Sequence, residues 1–494
     1  MKNRLAVYAL VILLSSITVH FLFFGHPNET VFDEVHFGKF ISGYFTHEYF
    51  FDIHPPLGKL LISGMGYLAG FKPGFSFAEI GQKFPDNIYL WLRLLPTLAG
   101  VLLPLIIFFL VLRLGLSRIA AFSAAMLVVF ENALLVQSRF ILLDSFLLLF
   151  GFSALLAYFK YAQEKKILYL FLSGVLAVLS LSVKWTGATF LALIIILEII
   201  RLAKEKNGLF LLRNSIALLI VPFAIYFSIF AIHLGLLTKS GPGDAFMSLG
   251  FQKTLAGSTV NAEGYRPLGL MAKFVELNLK MYGANANLTA GHPYSSKWYT
   301  WPFMARPIYY WYENSPGTAS QESRIYFLGN PIIWWASTAA IIYSLFILVR
   351  DTVRRKSKNE TPRVSLQHHP LPTSHSDLPA GRNPAPENPD SSIKGTVFWG
   401  ADKTLALLGG AYLLNLLPFI GITRAMFLYH YMIGLIFAII ALTYLIDRGQ
   451  SKNKIFVVLL AASFLTFLFF SPLTYGLPLS NSAYHLRVWF PGWQ

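Results

Sequence analysis

The chain has 494 residues, of which 55% are hydrophobic and 13% charged, with a formal net charge of +16 and no cysteine. A soluble domain carries about 25% charged residues, so these charges cannot cover a water-exposed surface of this size. The lack of cysteine excludes disulfides, a thiolate nucleophile and a Cys-based zinc site.

Taken in chain order, about eleven apolar segments are long enough to span a bilayer. They lie near 5–24, 89–112, 119–136, 141–159, 167–183, 187–201, 214–236, 330–349, 404–421, 425–446 and 455–473. The pattern predicts an all-α polytopic membrane protein. The first span follows a basic start at Lys2 and Arg4 and shows no small-residue cleavage site before Phe32, so it reads as a retained anchor. Placing the N-terminus in the cytoplasm puts more than half of the basic residues in cytoplasmic connections, including Arg113, Arg118, Lys160, Lys165, Lys166, Arg213 and Arg448. The positive balance is therefore a topology signal, and no nucleic-acid partner is expected. This threading leaves two large non-cytoplasmic segments, 25–88 and 237–329, and a tail from about 475. The cytoplasmic stretch 351–402 is rich in Pro, Ser and Asn and reads as a disordered linker; its histidines His368, His369 and His375 read as part of a solvated tract. It divides a transmembrane region 1–350, which holds the candidate chemistry, from a C-terminal transmembrane region 403–494. Within the first loop, Leu57–Gly70 is apolar but too short to span. It reads as an interfacial helix opened by Pro55 and Pro56, and Val35–Tyr49 suits a second surface helix.

Six polar groups fall on the non-cytoplasmic side of this topology. Asp33 and Glu34 are adjacent carboxylates among aromatics. They could serve as a general base with a raised pKa, or as an acidic pair at a helix start favoured by the macrodipole. Asp52, His54 and Lys59 lie between an aromatic cluster and the apolar helix. They could bind a hydroxyl-rich ligand, or merely cap a helix behind a stiff Pro-Pro turn. Arg139 lies at a hairpin and Asp144 about one turn into the next span. An intramembrane acid marks a site or a pair, and arginine suits a phosphate. An Arg139–Asp144 structural pair is the competing reading. Lys184 in the Lys184-Trp185-Thr186-Gly187 turn, the Trp301–Pro307 segment, and Arg424 with His430 complete the set. Each of these last three is alone more often an interface anchor than a ligand contact; their shared side raises the odds of a site. No Walker-type phosphate loop, no HExxH and no Asp-x-Asp in a large cytoplasmic domain occurs, which disfavours ATP-driven transport, that class of zinc proteolysis and nucleotide-sugar chemistry. A transporter would show Gly/Pro-broken spans in matching halves, which are not seen.

At these motifs the chain resembles the protein O-mannosyltransferase family of GT-C membrane glycosyltransferases. The resemblance rests on FDEVHFGKFISGYFTHEYFFDIHPPLGKLL, QSRFILLDSFLLLF, VKWTG, WPFMARPIYYW, FLYHYM, SPLTYG and WFPGW, in order along nearly the whole chain. It implies a GT-C-type helical bundle in the cell membrane and inverting transfer of mannose from a polyprenyl (dolichyl-type) phosphate to Ser or Thr hydroxyls of secreted or membrane polypeptides. A related transferase moving another sugar, or using a lipid or polysaccharide acceptor, is the alternative. Asp33 would be the general base and Glu34 a positioning group. Arg139 would contact the lipid phosphate. Asp52, His54 and Lys59 would shape the sugar and phosphate side, with Asp144, Lys184, Arg424 and His430 as further donor contacts. No essential metal is implied, although an acidic pair could hold a divalent ion. Eukaryotic members carry a β-trefoil insertion in the second large loop; this chain lacks it and resembles the compact prokaryotic members.

Overall fold

A computed structural model describes residues 2–205, 208–259, 264–287, 291–314, 321–360, 401–422 and 424–493. The helices in chain order are α1 (Lys2–Phe21), α2 (Glu34–Thr46), α3 (Leu57–Leu68), α4 (Ile88–Arg113), α5 (Arg118–Val129), α6 (Asn132–Ser138), α7 (Asp144–Glu164), α8 (Ile167–Val183) and α9 (Ala188–Glu205). They continue with α10 (Gly208–Ser215), α11 (Val221–Leu236), α12 (Leu249–Gln252), α13 (Leu270–Asn287), α14 (Pro331–Glu360), α15 (Ala401–Leu416), α16 (Met432–Asp447), α17 (Lys452–Tyr475) and α18 (Asn481–His485). Among the described residues nine helices are long and apolar enough to cross a membrane. A tenth span arises if α5 and α6, bent by 60° at their junction, count as one. The segment read as the fifth span, α8, has 17 residues, about 25 Å at the usual rise, and sits at the short limit for a crossing.

The break between α5 and α6 has a local cause. Glu131 leaves the helical path and accepts from Leu134 N at 2.8 Å and from Asn330 N at 2.7 Å, capping α6 and anchoring the start of α14. The two expected surface helices are α2 and α3. The all-α expectation misses one element, a three-stranded antiparallel sheet of β1 (Ile308–Asn314), β2 (Gln321–Phe327) and β3 (Pro478–Ser480) in that order. Its alternating aromatics pack against the bundle end, and a register irregularity between Tyr309 and Trp311 leaves Tyr310 out of the ladder. A bulge of this kind re-aims a side chain, and Tyr310 is turned into the bundle. Helix α14 runs on to Glu360, so 351–360 is helical where a linker was expected. The remainder of that linker, 361–400, with His368, His369 and His375, lies outside the described residues.

The connections sort to the two ends of the bundle. At one end Arg113 pairs with Glu164 at 3.3 Å, and Asp447 accepts from Ser117 N at 2.8 Å. At the other, the first loop meets the sheet and the C-terminal segment, with His26 Nε2 on Gly476 O at 2.9 Å and Phe32 N on Tyr310 O at 3.1 Å. All six polar groups sit at this second end.

Candidate active site

The first loop is held by one buried arginine. Arg93 interrupts the apolar face of α4 and is fully buried with Glu34. Its Nε and Nη2 donate to the two Glu34 oxygens, both at 2.7 Å. Its remaining donors reach Pro27 O and Glu29 O at 2.7 Å. Glu34 also accepts from Val31 N at 2.8 Å and Ile141 N at 2.9 Å. The loop is thereby tied to α4 and to the turn that begins α7. Glu34 does not face a cleft, and with its oxygens so engaged the acidic pair does not present two free carboxylates to an ion.

Asp33 differs from its neighbour. It is the residue before α2, so the pair does stand at a helix start, but it makes no side-chain cap. It is half-buried, and its carboxylate accepts no hydrogen bond among the described residues. Burial pushes its pKa up to about 6, against the opposing pull of His36 and Lys184; the negative charges of Asp144 and Asp52 push in the same direction as burial. The preceding Phe32 has φ +45°, a conformation costly for a bulky residue. Its ring stacks on Tyr310 at 4.2 Å, and the backbone bond to Tyr310 O holds the strained turn that projects Asp33.

Asp144 is the first residue of α7, and its partner is Lys184 rather than Arg139. Lys184 Nζ lies 2.9 and 2.8 Å from the two Asp144 oxygens, and Gln137 Nε2 donates to Asp144 at 2.6 Å. Gln137 in turn accepts from the Tyr310 hydroxyl. Lys184 projects from the turn after α8 because Gly187 packs tightly there: a Cβ at Gly187 would lie 2.4 Å from the backbone carbon of Ser180.

These elements surround a small cleft whose polar lining is His54, Asp144, Lys184, Thr186, Asn285, Arg424, Tyr429 and His430, with Trp185 and Ile53 among its apolar walls. Lys184 Nζ sits 5.0 Å from the Tyr429 ring. His430 stacks on Trp301 at 5.6 Å, and its Nδ1 contacts Phe427 O at 2.9 Å. Arg424 has no ion-pair partner among the described residues. Burial, with the nearby positive charge of Lys184, Lys59 and Arg424, drives the His54 pKa well below its ordinary value, so the imidazole is neutral at pH 7. Arg424 also lines an adjoining, larger cavity of mixed character, walled by Trp298, Tyr299, Phe419, Ile420 and Met426 together with Ser295, Ser296 and Lys297.

Five expected site residues stand outside the cleft lining: Asp33 and Glu34, described above, and Asp52, Lys59 and Arg139. Lys59 pairs with Asp52 and donates to His54 O at 2.8 Å, stapling the turn that presents His54. Arg139 is buried against the end of α1, donating to His20 O at 3.1 Å, Leu22 O at 2.6 Å and Phe23 O at 2.7 Å, with its guanidinium 4.6 Å from the Tyr475 ring. A helix C-terminus has unpaired carbonyls that attract such a cation. Arg93, Gln137, Tyr310 and Asn285 were not singled out from sequence. Arg93 had a readable signal, a charge inside an apolar span; Gln137 and Tyr310 fell within the quoted motifs without a role, and Asn285 had no signal.

The fold is that of known membrane transferases. A structure of the S. cerevisiae protein O-mannosyltransferase Pmt1–Pmt2 complex bound to the sugar donor superposes with a TM-score of 0.84 at 21% identity, covering 99% of this chain and 93% of that one. An archaeal oligosaccharyltransferase from Archaeoglobus fulgidus, in complex with an inhibitory peptide and a dolichol-phosphate, gives a TM-score of 0.50 at 12% identity over 97% of this chain and 56% of that one. The architecture is thus that of the GT-C polytopic membrane glycosyltransferases. A model described as dolichyl-phosphate-mannose-protein mannosyltransferase matches residues 9–238, and one described as the C-terminal four-transmembrane region of protein O-mannosyltransferase matches 270–374 and 393–493. The chain belongs to the protein O-mannosyltransferase family. Among its relatives, dolichyl-phosphate-mannose–protein mannosyltransferase 4 of Candida albicans is 39% identical over 52% of this chain and 37% of that protein. Protein O-mannosyl-transferase 1 of Mus musculus is 31% identical over 72% of this chain and 46% of that protein. The match spans less than half the length of either relative.

Proposed function

We propose that the chain transfers mannose from a polyprenyl (dolichyl-type) phosphate to Ser or Thr hydroxyls of polypeptides, with inversion at the anomeric carbon. The observation that carries this reading is the juxtaposition of Asp33, a carboxylate with no hydrogen-bond partner among the described residues and a pKa raised to about 6, with a cleft lined by Lys184 and Arg424. An alcohol is a weak nucleophile at neutral pH, and a positioned base assists it. The acceptor oxygen attacks the anomeric carbon from the face opposite the phosphate and the anomeric C–O(phosphate) bond breaks. Asp33 takes the hydroxyl proton as the new C–O bond forms. Negative charge gathers on the departing lipid phosphate, where fixed cations stabilise it. Lys184 directs two contacts to Asp144, leaving one N–H of its three for a phosphate oxygen. Arg424 offers a whole guanidinium fork and lines both the cleft and the adjoining cavity, whose Trp298, Phe419 and Ile420 wall suits an isoprenoid chain.

Asp52, Lys59 and Glu34 act in this reading by positioning His54 and Asp33, and Arg139 by anchoring α1. The cleft opens to the extracytoplasmic side, with the N-terminus in the cytoplasm, as the distribution of Lys and Arg supports. Residues 1–350 and 403–494 form the membrane machinery and the stretch between them tethers the two. The test is transfer of labelled mannose from polyprenyl-phosphate mannose to Ser/Thr peptides by wild type and Asp33→Asn. Transfer by wild type and none by a folded Asp33→Asn variant is expected. Full activity of the variant removes Asp33 as the base. No transfer by folded wild type across several acceptors shifts the reading to another sugar or a non-protein acceptor.

A further inference from the structure

Helix α13 contributes Asn285 to the cleft lining. Phe274, Leu277 and Met281 are buried in a cluster with Phe230 and Leu234 of α11. The same side bears Asn278 and Asn285, about two turns apart. Asn278 Oδ1 accepts from the Tyr226 hydroxyl at 2.8 Å, and that hydroxyl accepts from Trp185 Nε1 at 3.0 Å. Asn285 Nδ2 donates to Ile53 O at 3.2 Å and to Met281 O at 2.9 Å. Trp185 and Ile53 are two walls of the cleft, and Asn285 is itself part of its lining. The two amides therefore tie two wall residues of the cleft to one helix.

An amide has two N–H donors and one acceptor oxygen. Both donor contacts of Asn285 go to backbone carbonyls, which fixes the orientation of the amide. Its Oδ1 accepts no hydrogen bond among the described residues and is the polar atom left to the cleft. An acceptor oxygen repels phosphate oxygens, which are acceptors themselves, and suits a hydroxyl. The Asn285 amide is bonded to the carbonyl oxygen of Ile53, the residue before His54.

We propose that Asn285 Oδ1 accepts a hydrogen bond from one hydroxyl of the sugar being transferred, making Asn285 a specificity-determining residue held in register by the Asn278–Tyr226–Trp185 chain. This rests on the reading that the cleft takes a polyprenyl-phosphate hexose. A bound hydroxyl with a matched acceptor is discriminated from its deoxy analogue because the lost bond leaves a buried polar atom unpaired.

The experiment uses the purified full chain, polyprenyl-phosphate mannose and its monodeoxy analogues, with a fixed Ser/Thr peptide. Wild type is expected to lose about tenfold in donor kcat/KM with one deoxy donor. Asn285→Ala loses about tenfold with the parent donor, loses nothing further with that deoxy donor, and keeps the acceptor KM. Asn278→Ala, which frees the Trp185 wall and leaves Oδ1 in place, weakens transfer from all donors alike without changing their ranking. Asn285→Leu, isosteric and without an acceptor, carries the same test where the alanine variant does not fold. Unchanged ranking of the deoxy donors by Asn285→Ala, or an effect on the acceptor KM alone, overturns the proposal. Absence of any mannose transfer by wild type overturns the parent reading with it, whereas transfer with unchanged ranking overturns this inference alone.

Discussion

Replacing Glu34 by alanine strips Arg93 of its only carboxylate partner among the described residues. The guanidinium is left fully buried, with donors at 2.7 Å from where two oxygens had been and only loop carbonyls to compensate. Removing one partner of a buried pair costs about 3–5 kcal/mol, because the survivor is an uncompensated charge. Val31 N and Ile141 N lose their acceptor as well. The variant is therefore expected to fall in thermal stability and to lose transfer together. Asp33→Asn, by contrast, keeps stability and loses transfer alone, since no partner of Asp33 is orphaned. The double variant Glu34→Gln/Arg93→Met removes both charges. It is expected to recover a large part of the stability lost by Arg93→Met, a coupling of about 1–3 kcal/mol, while transfer stays low because the loop is no longer tied. The assay is intrinsic-tryptophan thermal unfolding in one detergent, alongside labelled-mannose transfer. Additive single effects, or a stable Glu34→Ala that is inactive, would refute the structural role and return Glu34 to the chemistry.

Other outcomes follow from the same geometry. Because the working form of Asp33 is the carboxylate and burial raises its pKa to about 6, donor kcat/KM is expected to fall as pH drops through 6 and level off above about 7, and a flat profile between pH 5 and 7 counts against Asp33 as base. Arg424→Ala removes one charge-assisted contact and is expected to raise the donor KM tenfold or more, about 1.5–3 kcal/mol, with thermal stability intact; an unchanged donor KM removes Arg424 from phosphate binding. Arg139→Ala is expected to lower thermal stability through the freed carbonyls of His20, Leu22 and Phe23, and a raised donor KM at normal stability would restore it as a phosphate contact. Since the chain has no cysteine, single cysteines at Lys72 and Asn453 report topology directly: Lys72→Cys is expected to react with an impermeant maleimide on intact cells and Asn453→Cys only after lysis, and the reverse inverts the orientation.

The amino-acid sequence by itself determined the membrane class, because runs of apolar residues and sparse charge act through composition alone. It determined the two surface helices α2 and α3, whose lengths and Pro-Pro entry are local properties, and it located the polar groups that gather at one end of the bundle. It could not decide how those groups pair. Asp33 and Glu34 are adjacent in sequence, yet one accepts no hydrogen bond among the described residues and the other is locked to Arg93, because the start of α2 turns only Glu34 toward α4. Arg139 and Asp144 are near neighbours in sequence. The turn between them sends one to the end of α1 and the other to Lys184, forty residues on. Asn285 carries no signal in the sequence and Tyr310, though within a quoted motif, none that gives it a role, since an amide on an amphipathic helix and a tyrosine in an aromatic strand are ordinary there. Their roles follow from a helix that contributes to the cleft lining and a strand bulge facing Gln137. Pairing across long sequence separations is set by packing and by the demand that every buried charge find a partner. Only the tertiary structure satisfies that demand, and it decided which of the polar residues remain free for chemistry.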